Sequence, residues 1–336
     1  MGNFHIKEIA LLKGWAMLLV LLVHSILVYP INLVDSFAGC KILQNYILSF
    51  HMQLLFIVSG YLYAIGTSKK YTFLIKDKFF RLLQPYLIFS LLVAITKYLF
   101  SQLVNRQIIP TEELKDIVLY GGEYWFLYVL FLIFVTFPLV EKIMQSKVII
   151  VSLFIVWLLY LSLNIDIQIF AVSSIIYYGF FFFVGNIIAR YKAHLKQLIQ
   201  WGNNPYVFLC ILILFVLVCH IPERTNFYTT IMWPIIGSAM SYGLIIRIKS
   251  KILQNILNKV SEYSLQIYLL DGFALALVRY FFIKICNIQD PVVLVFSIFI
   301  AKAVIIIAFL EYVVARFKFF KGLFGIRDNT HITINS

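Results

Sequence analysis

The segment KGWAMLLVLLVHS, from Lys13 to Ser25, decides the class of fold. It is almost wholly apolar, yet it keeps two titratable side chains, those of Lys13 and His24. Across the 336 residues, hydrophobic residues make up 62% and charged residues only 13%. Soluble domains carry about a quarter charged residues. The composition therefore favours a protein whose surroundings are the lipid bilayer.

Apolar runs of about 20 residues are long enough to cross a bilayer as helices, and such runs follow one another along this chain. They predict an all-α fold, a polytopic transmembrane helical bundle that forms a single domain over residues 1–336. No soluble domain fits between the runs. The ten predicted spans are 9–30, 42–66, 81–104, 123–142, 148–164, 168–189, 205–220, 227–246, 261–283 and 291–315.

The net charge of +13 follows the predicted topology rather than marking a nucleic-acid surface. With a cytoplasmic N-terminus, 19 of the 28 lysines and arginines fall in the inner loops and tails, 5 in the outer loops and 4 inside spans. This asymmetry predicts an even number of spans with both termini in the cytoplasm. We expect a multi-pass protein of the cell membrane, a bacterial plasma membrane, with lipids around it and no nucleic-acid partner.

Ionisable residues inside spans are costly and are candidates for function. Lys13 and His24 are eleven positions apart, so they share one helix face about 16 Å apart along the axis. His51 lies in the second span at a depth similar to that of His24. Because helices joined by a short loop are usually neighbours, a shared site is plausible. The alternative is that each histidine is a polar bridge between helices.

The cytoplasmic end of the third span carries Lys78 and Arg81, which are three positions apart on one helix face. They suit a phosphate-rich cytosolic ligand, or they anchor the span by the positive-inside rule. At the outer end of the fourth span, Glu123 and Trp125 form either an interfacial aromatic belt or a carboxylate and stacking surface for a sugar. Ser59 precedes a glycine, and this small pair also allows close helix packing.

Asp271 and Lys302 lie near the middle of the last two spans and have opposite charges. Either group alone is costly inside the membrane, so the sequence predicts a structural ion pair between them. The four cysteines show no paired metal spacing, and we expect no metal and no bound cofactor.

Taken in order, these stretches resemble the acyltransferase-3 family of integral membrane acyltransferases, most closely its fucose 4-O-acetylase-like branch. The first span resembles the family's basic residue followed eleven positions later by histidine. This sequence departs from the family pattern at three positions: Ala10, Gln53 and Asp271 stand where the family commonly has Asp, Pro and His. Further stretches also resemble family motifs. These stretches are FHMQLLFIVSGYLY (50–63), KFFRLLQPYL (78–87), YWFLYVLF (124–131), FFFVGNIIA (181–189) and SLQIYLLD (264–271).

The resemblance implies transfer of an acyl group, usually acetyl, from cytosolic acyl-CoA to a hydroxyl of a cell-surface or exported polysaccharide, or of its lipid-linked precursor. It implies that His24 is the catalytic histidine. His51, at a similar depth, is assigned to the same catalytic site in a positioning or proton-handling role. Lys13, Lys78 and Arg81 would then face the donor's phosphates. Ser59, Tyr61, Glu123 and Trp125 are assigned to the acceptor side or the cavity.

Two other classes of protein fit the same polar residues. A polysaccharide or lipid-linked sugar exporter would line its path with the histidines and the Asp271–Lys302 pair. A non-catalytic membrane subunit would scaffold a polysaccharide assembly complex. The proteins of such a complex are also expected partners of an enzyme that acylates an exopolysaccharide.

Overall fold

The computed structural model describes residues 2–26, 37–66, 70–99, 109–144, 146–163, 167, 169–191, 204–219 and 227–326. Within these ranges every regular element is helical and no strand occurs. The α-helices are α1 (Gly2–Ile26), α2 (Ala38–Leu48), α3 (His51–Ile65), α4 (Tyr71–Lys78), α5 (Gln84–Leu99), α6 (Pro110–Lys115), α7 (Trp125–Ile143), α8 (Lys147–Ser162), α9 (Val172–Arg190), α10 (Pro205–Cys219), α11 (Phe227–Ile245), α12 (Lys251–Glu262), α13 (Ser264–Tyr280), α14 (Pro291–Phe309) and α15 (Lys318–Leu323).

In the part of the chain that the structure describes, four π-helical segments extend or connect these helices, and two short 3₁₀ segments precede α7 and α9. One π segment joins α4 to α5 without a break, so the third apolar helix runs continuously from Tyr71 to Leu99. The π segments are Phe79–Leu83, Asp116–Tyr120, Phe281–Ile285 and Leu310–Val314. Single-turn π segments are rare and occur frequently at functional sites, and Arg81 lies in the first of them.

Among the described residues, seven helical stretches are long and apolar enough to cross a membrane. The same part of the chain contains three shorter apolar helices at the predicted fifth, seventh and eighth spans: Lys147–Ser162, Pro205–Leu217 and Thr230–Ile245. The multi-pass helical architecture is therefore as the sequence predicts, while the count of ten spans and the side of each terminus stay predictions. The outer end of the first predicted span, residues 27–30, lies outside the described residues.

Two of the predicted spans are less regular than their apolar sequences suggest. The second is divided by a turn at Ser49 and Phe50, so His51 is the first residue of α3 rather than the middle of one long helix. The Ser49 hydroxyl donates to the Tyr46 carbonyl at 2.7 Å in this turn. The fourth falls in the helical stretch Pro110–Ile143, in which Gly121 adopts a left-handed conformation (φ 91°) and the 3₁₀ segment Gly122–Tyr124 precedes the start of α7 at Trp125.

The helices cluster in two compact units. The first unit comprises Met1–Gly66 and Phe181–Leu310, and the second comprises Thr67–Phe180 and Glu311–Ser336. In the first unit, α1 packs against α3, α12, α13 and α14. The close approach of α1 to α12 depends on Gly14, because a Cβ at this position would overlap the carbonyl oxygen of Leu257.

Within the second unit, α4 packs against α7, and polar groups tie the apolar helices together. The Tyr71 hydroxyl donates to the Val135 carbonyl at 3.0 Å. The Tyr128 hydroxyl donates to the Val118 carbonyl at 2.9 Å, and the Trp157 indole donates to the Ile176 carbonyl at 2.8 Å. Each of these bonds satisfies a polar group that would be costly to leave unpaired in an apolar surrounding.

Candidate active site

The most highly charged buried cluster among the described residues lies in the first unit, where α1, α13 and α14 pack together. His24, in the last turn of α1, places its Nδ1 atom 2.5 Å from Oδ2 of Asp271 on α13. The other carboxylate oxygen, Oδ1, lies 2.6 Å from the Nζ atom of Lys302 on α14. The carboxylate of Asp271 therefore stands between an imidazole and an ammonium group.

The three side chains differ sharply in exposure. The His24 side chain is 39% accessible, whereas those of Asp271 and Lys302 are 3% and 0% accessible. A buried ionised group is tolerated when it is paired and costs several kcal/mol when it is not. The arrangement thus hides both fixed charges from the surroundings and leaves only the imidazole accessible.

Apolar packing holds the three helices in register close to this cluster. Ile26 follows His24 by two residues, Val278 lies two turns beyond Asp271 on α13, and Ile298 lies one turn before Lys302 on α14. All three belong to one buried hydrophobic cluster. Close packing of these side chains fixes the relative rotation of the helices, and this in turn directs the imidazole, the carboxylate and the ammonium toward one another.

The hydrogen bond to Asp271 gives the His24 ring a defined orientation. A carboxylate accepts, so Nδ1–H donates, and in the neutral ring Nε2 then carries the lone pair. The same division of roles is found in hydrolytic triads, where the carboxylate fixes the tautomer and stabilises the imidazolium as it forms. His24 can therefore take a proton at Nε2 and return it.

His51 lies near His24 but is in a different environment. Its side chain is buried, at 4% exposure, and its Nδ1 donates to the Ile47 carbonyl at 2.8 Å. The two histidines are close enough to interact electrostatically, and α1 and α3 pack against each other. The structure thus places the predicted histidine pair in one unit, with His24 the more accessible member.

The three basic residues assigned to the donor lie in different units. Lys13 is half-buried in the first unit, next to the crossing of α1 with α12 at Gly14. Lys78, in the second unit, places its Nζ 4.1 Å from the centre of the Phe134 ring, a cation–π contact. Arg81 is 45% accessible and lies 4.0 Å from Asp77. Lys78 and Arg81 thus contact different neighbours.

Two of the residues assigned to the acceptor lie in the first unit. The Ser59 hydroxyl donates to the Leu55 carbonyl at 2.7 Å, within its own helix. Tyr61 is buried, at 5% exposure. Gly60, between them, packs directly on the Phe182 backbone. This stretch therefore forms a close helix contact, which is the packing role that the sequence also allowed.

The other two acceptor residues, Glu123 and Trp125, lie in the second unit. Glu123 is 61% accessible and accepts a 2.8 Å hydrogen bond from Lys97, which also lies 3.4 Å from Glu113. The Trp125 ring packs on Tyr178, with ring centres 5.0 Å apart. Accessible carboxylates beside stacked aromatic rings are suited to sugar hydroxyls and sugar faces. Lys97 was not assigned a role from the sequence, although a lysine late in an apolar run is the signal that marks it.

The contact between His24 and Asp271 was also missed by sequence reasoning, which paired His24 with His51 and Asp271 with Lys302. An accessible imidazole supported by a buried carboxylate, within a multi-pass helical protein, defines a membrane protein with an acid–base centre. A family profile described as an acyltransferase domain matches residues 6–311, so the chain belongs to this acyltransferase family and is a membrane acyltransferase. No significant match was found among curated proteins or among solved structures.

Proposed function

We propose that this protein is an O-acetyltransferase of the cell membrane. The donor is cytosolic acetyl-CoA, and the acceptor is a sugar hydroxyl of a cell-surface or exported polysaccharide or of its lipid-linked precursor. The acyltransferase family of residues 6–311 supports acyl transfer. The resemblance of the motifs to the fucose 4-O-acetylase-like branch supports a sugar as the acceptor.

The observation that carries this proposal is the accessible imidazole of His24 held by the buried carboxylate of Asp271. A sugar hydroxyl is a weak nucleophile, and a general base works best when it is near neutrality, as imidazole is. His24 Nε2 removes the hydroxyl proton while the sugar oxygen forms a bond to the thioester carbonyl carbon. The carbon–sulfur bond then breaks, and the CoA thiolate leaves with the proton that His24 returns.

A second route uses the same residues in two steps. The acyl group first moves to the imidazole as CoA leaves, and the sugar hydroxyl then displaces it from the ring. Both routes place the chemistry on Nε2 of His24, so both predict the same loss when the imidazole is removed.

The residues that bind the donor and the acceptor are proposed from the sequence motifs and from the chemistry of their side chains. Lys13, Lys78 and Arg81 bind the phosphates of acyl-CoA, because ammonium and guanidinium groups make charge-assisted hydrogen bonds to phosphate oxygens. Glu123 and Trp125 bind the sugar, supported by the 61% exposure of Glu123 and by the stacked Trp125 and Tyr178 rings.

The experiment compares His24→Asn with the wild-type protein and with His51→Asn as the matched control. Asparagine keeps a polar side chain that can bond Asp271 but removes the base, which typically costs about 10²–10⁴-fold in rate. We expect normal membrane yield of the His24→Asn protein with almost no acetylated polymer by mass spectrometry. His51→Asn should lose less, because His51 is buried. Wild-type acetylation by His24→Asn would refute the assignment, and intact acetylation with polymer retained in the cell would indicate export instead.

A further inference from the structure

The ammonium group of Lys302 is fully buried, and the described contact that balances its charge is the carboxylate of Asp271 at 2.6 Å. The same carboxylate bonds His24 through its second oxygen at 2.5 Å. An anion beside an imidazole favours the imidazolium form, whereas a cation nearby disfavours it. Lys302 therefore opposes the effect of Asp271 on His24, although it lies on the far side of the carboxylate.

We propose that Lys302 is a positioning residue that limits protonation of His24, because it partly balances the charge of Asp271 while leaving the hydrogen bond from the ring to Asp271 intact. The inference rests on the proposed function of His24 as the base. Without Lys302, the carboxylate would pair with an imidazolium, and a protonated ring cannot accept the proton of a sugar hydroxyl. With Lys302, the carboxylate orients the ring and His24 remains available as a base.

Burial explains why this balance is effective. Coulomb interactions are several times stronger at low dielectric than in water, and Asp271 and Lys302 are 3% and 0% accessible. Each residue carries one unit charge of opposite sign, so together they present His24 with a dipole whose negative end faces the ring, which favours the imidazolium less than a carboxylate alone would. An ion pair with only a structural role would stabilise the packing of α13 against α14 whether or not it lay beside His24.

Other titratable groups lie on α1 and on the helices packed against it. Their electrostatic effect on His24 is the same in every variant, because none of them is substituted. His51 is the one with a described electrostatic interaction with His24. Among the described side chains, the others are Lys7, Glu8, Lys13, Cys40, Lys41, Tyr46, Tyr61, Tyr63, Tyr242, Lys251, Lys259, Glu262, Tyr268, Arg279 and Tyr280. Because they are unchanged, differences between variants report on Asp271 and Lys302 alone.

The test measures the rate of acyl transfer against pH for the full-length protein reconstituted in lipid nanodiscs. Activity requires neutral imidazole and therefore appears as the pH rises. Lys302→Met leaves an unbalanced carboxylate, so we expect the activity to appear at a pH higher by about one unit, a tenfold change in the ratio of imidazole to imidazolium. Asp271→Asn leaves an unbalanced ammonium, so activity should persist to lower pH while the maximal rate falls.

The double variant Asp271→Asn/Lys302→Met removes both charges and should place the onset of activity between those of the two single variants. Shifts of opposite sign in the single variants, offsetting each other in the double variant, are the expected result. A structural ion pair predicts reduced yield with no shift of the pH profile, and an unchanged profile in both single variants would overturn the inference.

Thermal unfolding gives a second measurement that does not depend on activity. In Lys302→Met, the imidazolium of His24 is the group left to balance Asp271, so this variant should be more stable at pH 5.5 than at pH 8. The variant His24→Asn/Lys302→Met should lose this pH dependence. If Lys302→Met fails to fold even at the lower pH, His24 does not balance Asp271 and the inference is wrong.

These outcomes separate the inference from the proposed function. Wild-type activity in His24→Asn would refute the assignment of His24 as the base, whatever the unfolding measurements show. If His24→Asn loses activity but the pH profiles of the Lys302 and Asp271 variants do not move, His24 is still the base. Only the role inferred for Lys302 is then refuted.

Discussion

Two glycines in the first unit form a reciprocal contact between α3 and α9, and a single methyl group at either one should separate the helices. A Cβ at Gly60 would overlap the carbonyl oxygen of Phe182, and a Cβ at Gly185 would overlap that of Ile57. Both obstacles are backbone atoms, which cannot move aside as the end of a flexible side chain can. The perturbation is therefore Gly60→Ala or Gly185→Ala.

The magnitude follows from two opposing terms. Replacing glycine by alanine in a helix gains about 1 kcal/mol of helix propensity, whereas overpacking typically costs about 1–3 kcal/mol. Because the overlap is with backbone, we take the upper part of this range and expect a net loss of about 1–2 kcal/mol. This corresponds to a fall of about 2–8 °C in the thermal midpoint, by the scaling of domains of 150–250 residues.

Gly272→Ala is the matched control, since Gly272 also lies within a helix of the first unit and a Cβ there would meet no atom within 4 Å. We expect this variant to unfold at the wild-type temperature or slightly above it. The assay is thermal unfolding of the purified protein in one detergent, followed by fluorescence-detected size exclusion. Equal midpoints for Gly60→Ala, Gly185→Ala and Gly272→Ala would refute the close helix contact. In Gly60→Ala/Gly185→Ala, the loss should be less than additive, because both methyl groups separate the same two backbones.

Two further predictions concern the donor and the topology. Lys78→Gln/Arg81→Gln should raise the KM for acyl-CoA several-fold through loss of charge-assisted contacts, and an unchanged KM would leave both residues as membrane anchors. Reporter fusions after Lys70 and after Lys115 should report opposite sides of the membrane, and the same side for both would contradict the predicted topology.

The helical fold could be predicted because apolar runs and local start signals lie in the sequence itself. The last predicted span, 291–315, corresponds closely to the described helical stretch Pro291–Val314. Its start is set locally, since Asp290 caps α14 by accepting from the Val293 backbone N–H at 2.8 Å and Pro291 occupies the first turn. Here the hydrophobic pattern and the capping residues specify the same boundary.

Breaks within apolar runs could not be predicted in the same way. The turn at Ser49 and Phe50 has no proline or glycine to mark it, so the hydropathy pattern predicts one uninterrupted span. The π segment at Phe79–Leu83 likewise lies in a sequence that suits an ordinary helix, and it lets the helix start at Tyr71 rather than at residue 81. Tertiary packing, which a one-dimensional pattern does not contain, decides such local geometry.

The candidate site, too, could be predicted from the sequence only in part. Asp271 and Lys302 could be paired from the sequence because they lie on consecutive helices at similar depth and have opposite charge. His24 and Asp271 are 247 residues apart. Depth arguments favoured His51 as the neighbour of His24 because α2 and α3 follow α1 in the chain. A helix has several faces, however, and α1 packs against α13 and α14 as well as α3.

Asp271 stands where the resembling family commonly has histidine, and the structure explains what this residue requires. A neutral histidine at position 271 could accept the Nδ1–H of His24 without a counter-charge, whereas a buried aspartate cannot remain ionised without a cation beside it. Lys302, fully buried on the next helix, meets that requirement at 2.6 Å. Positions 271 and 302 are therefore energetically coupled, since a change at either one alone leaves a buried charge without this partner.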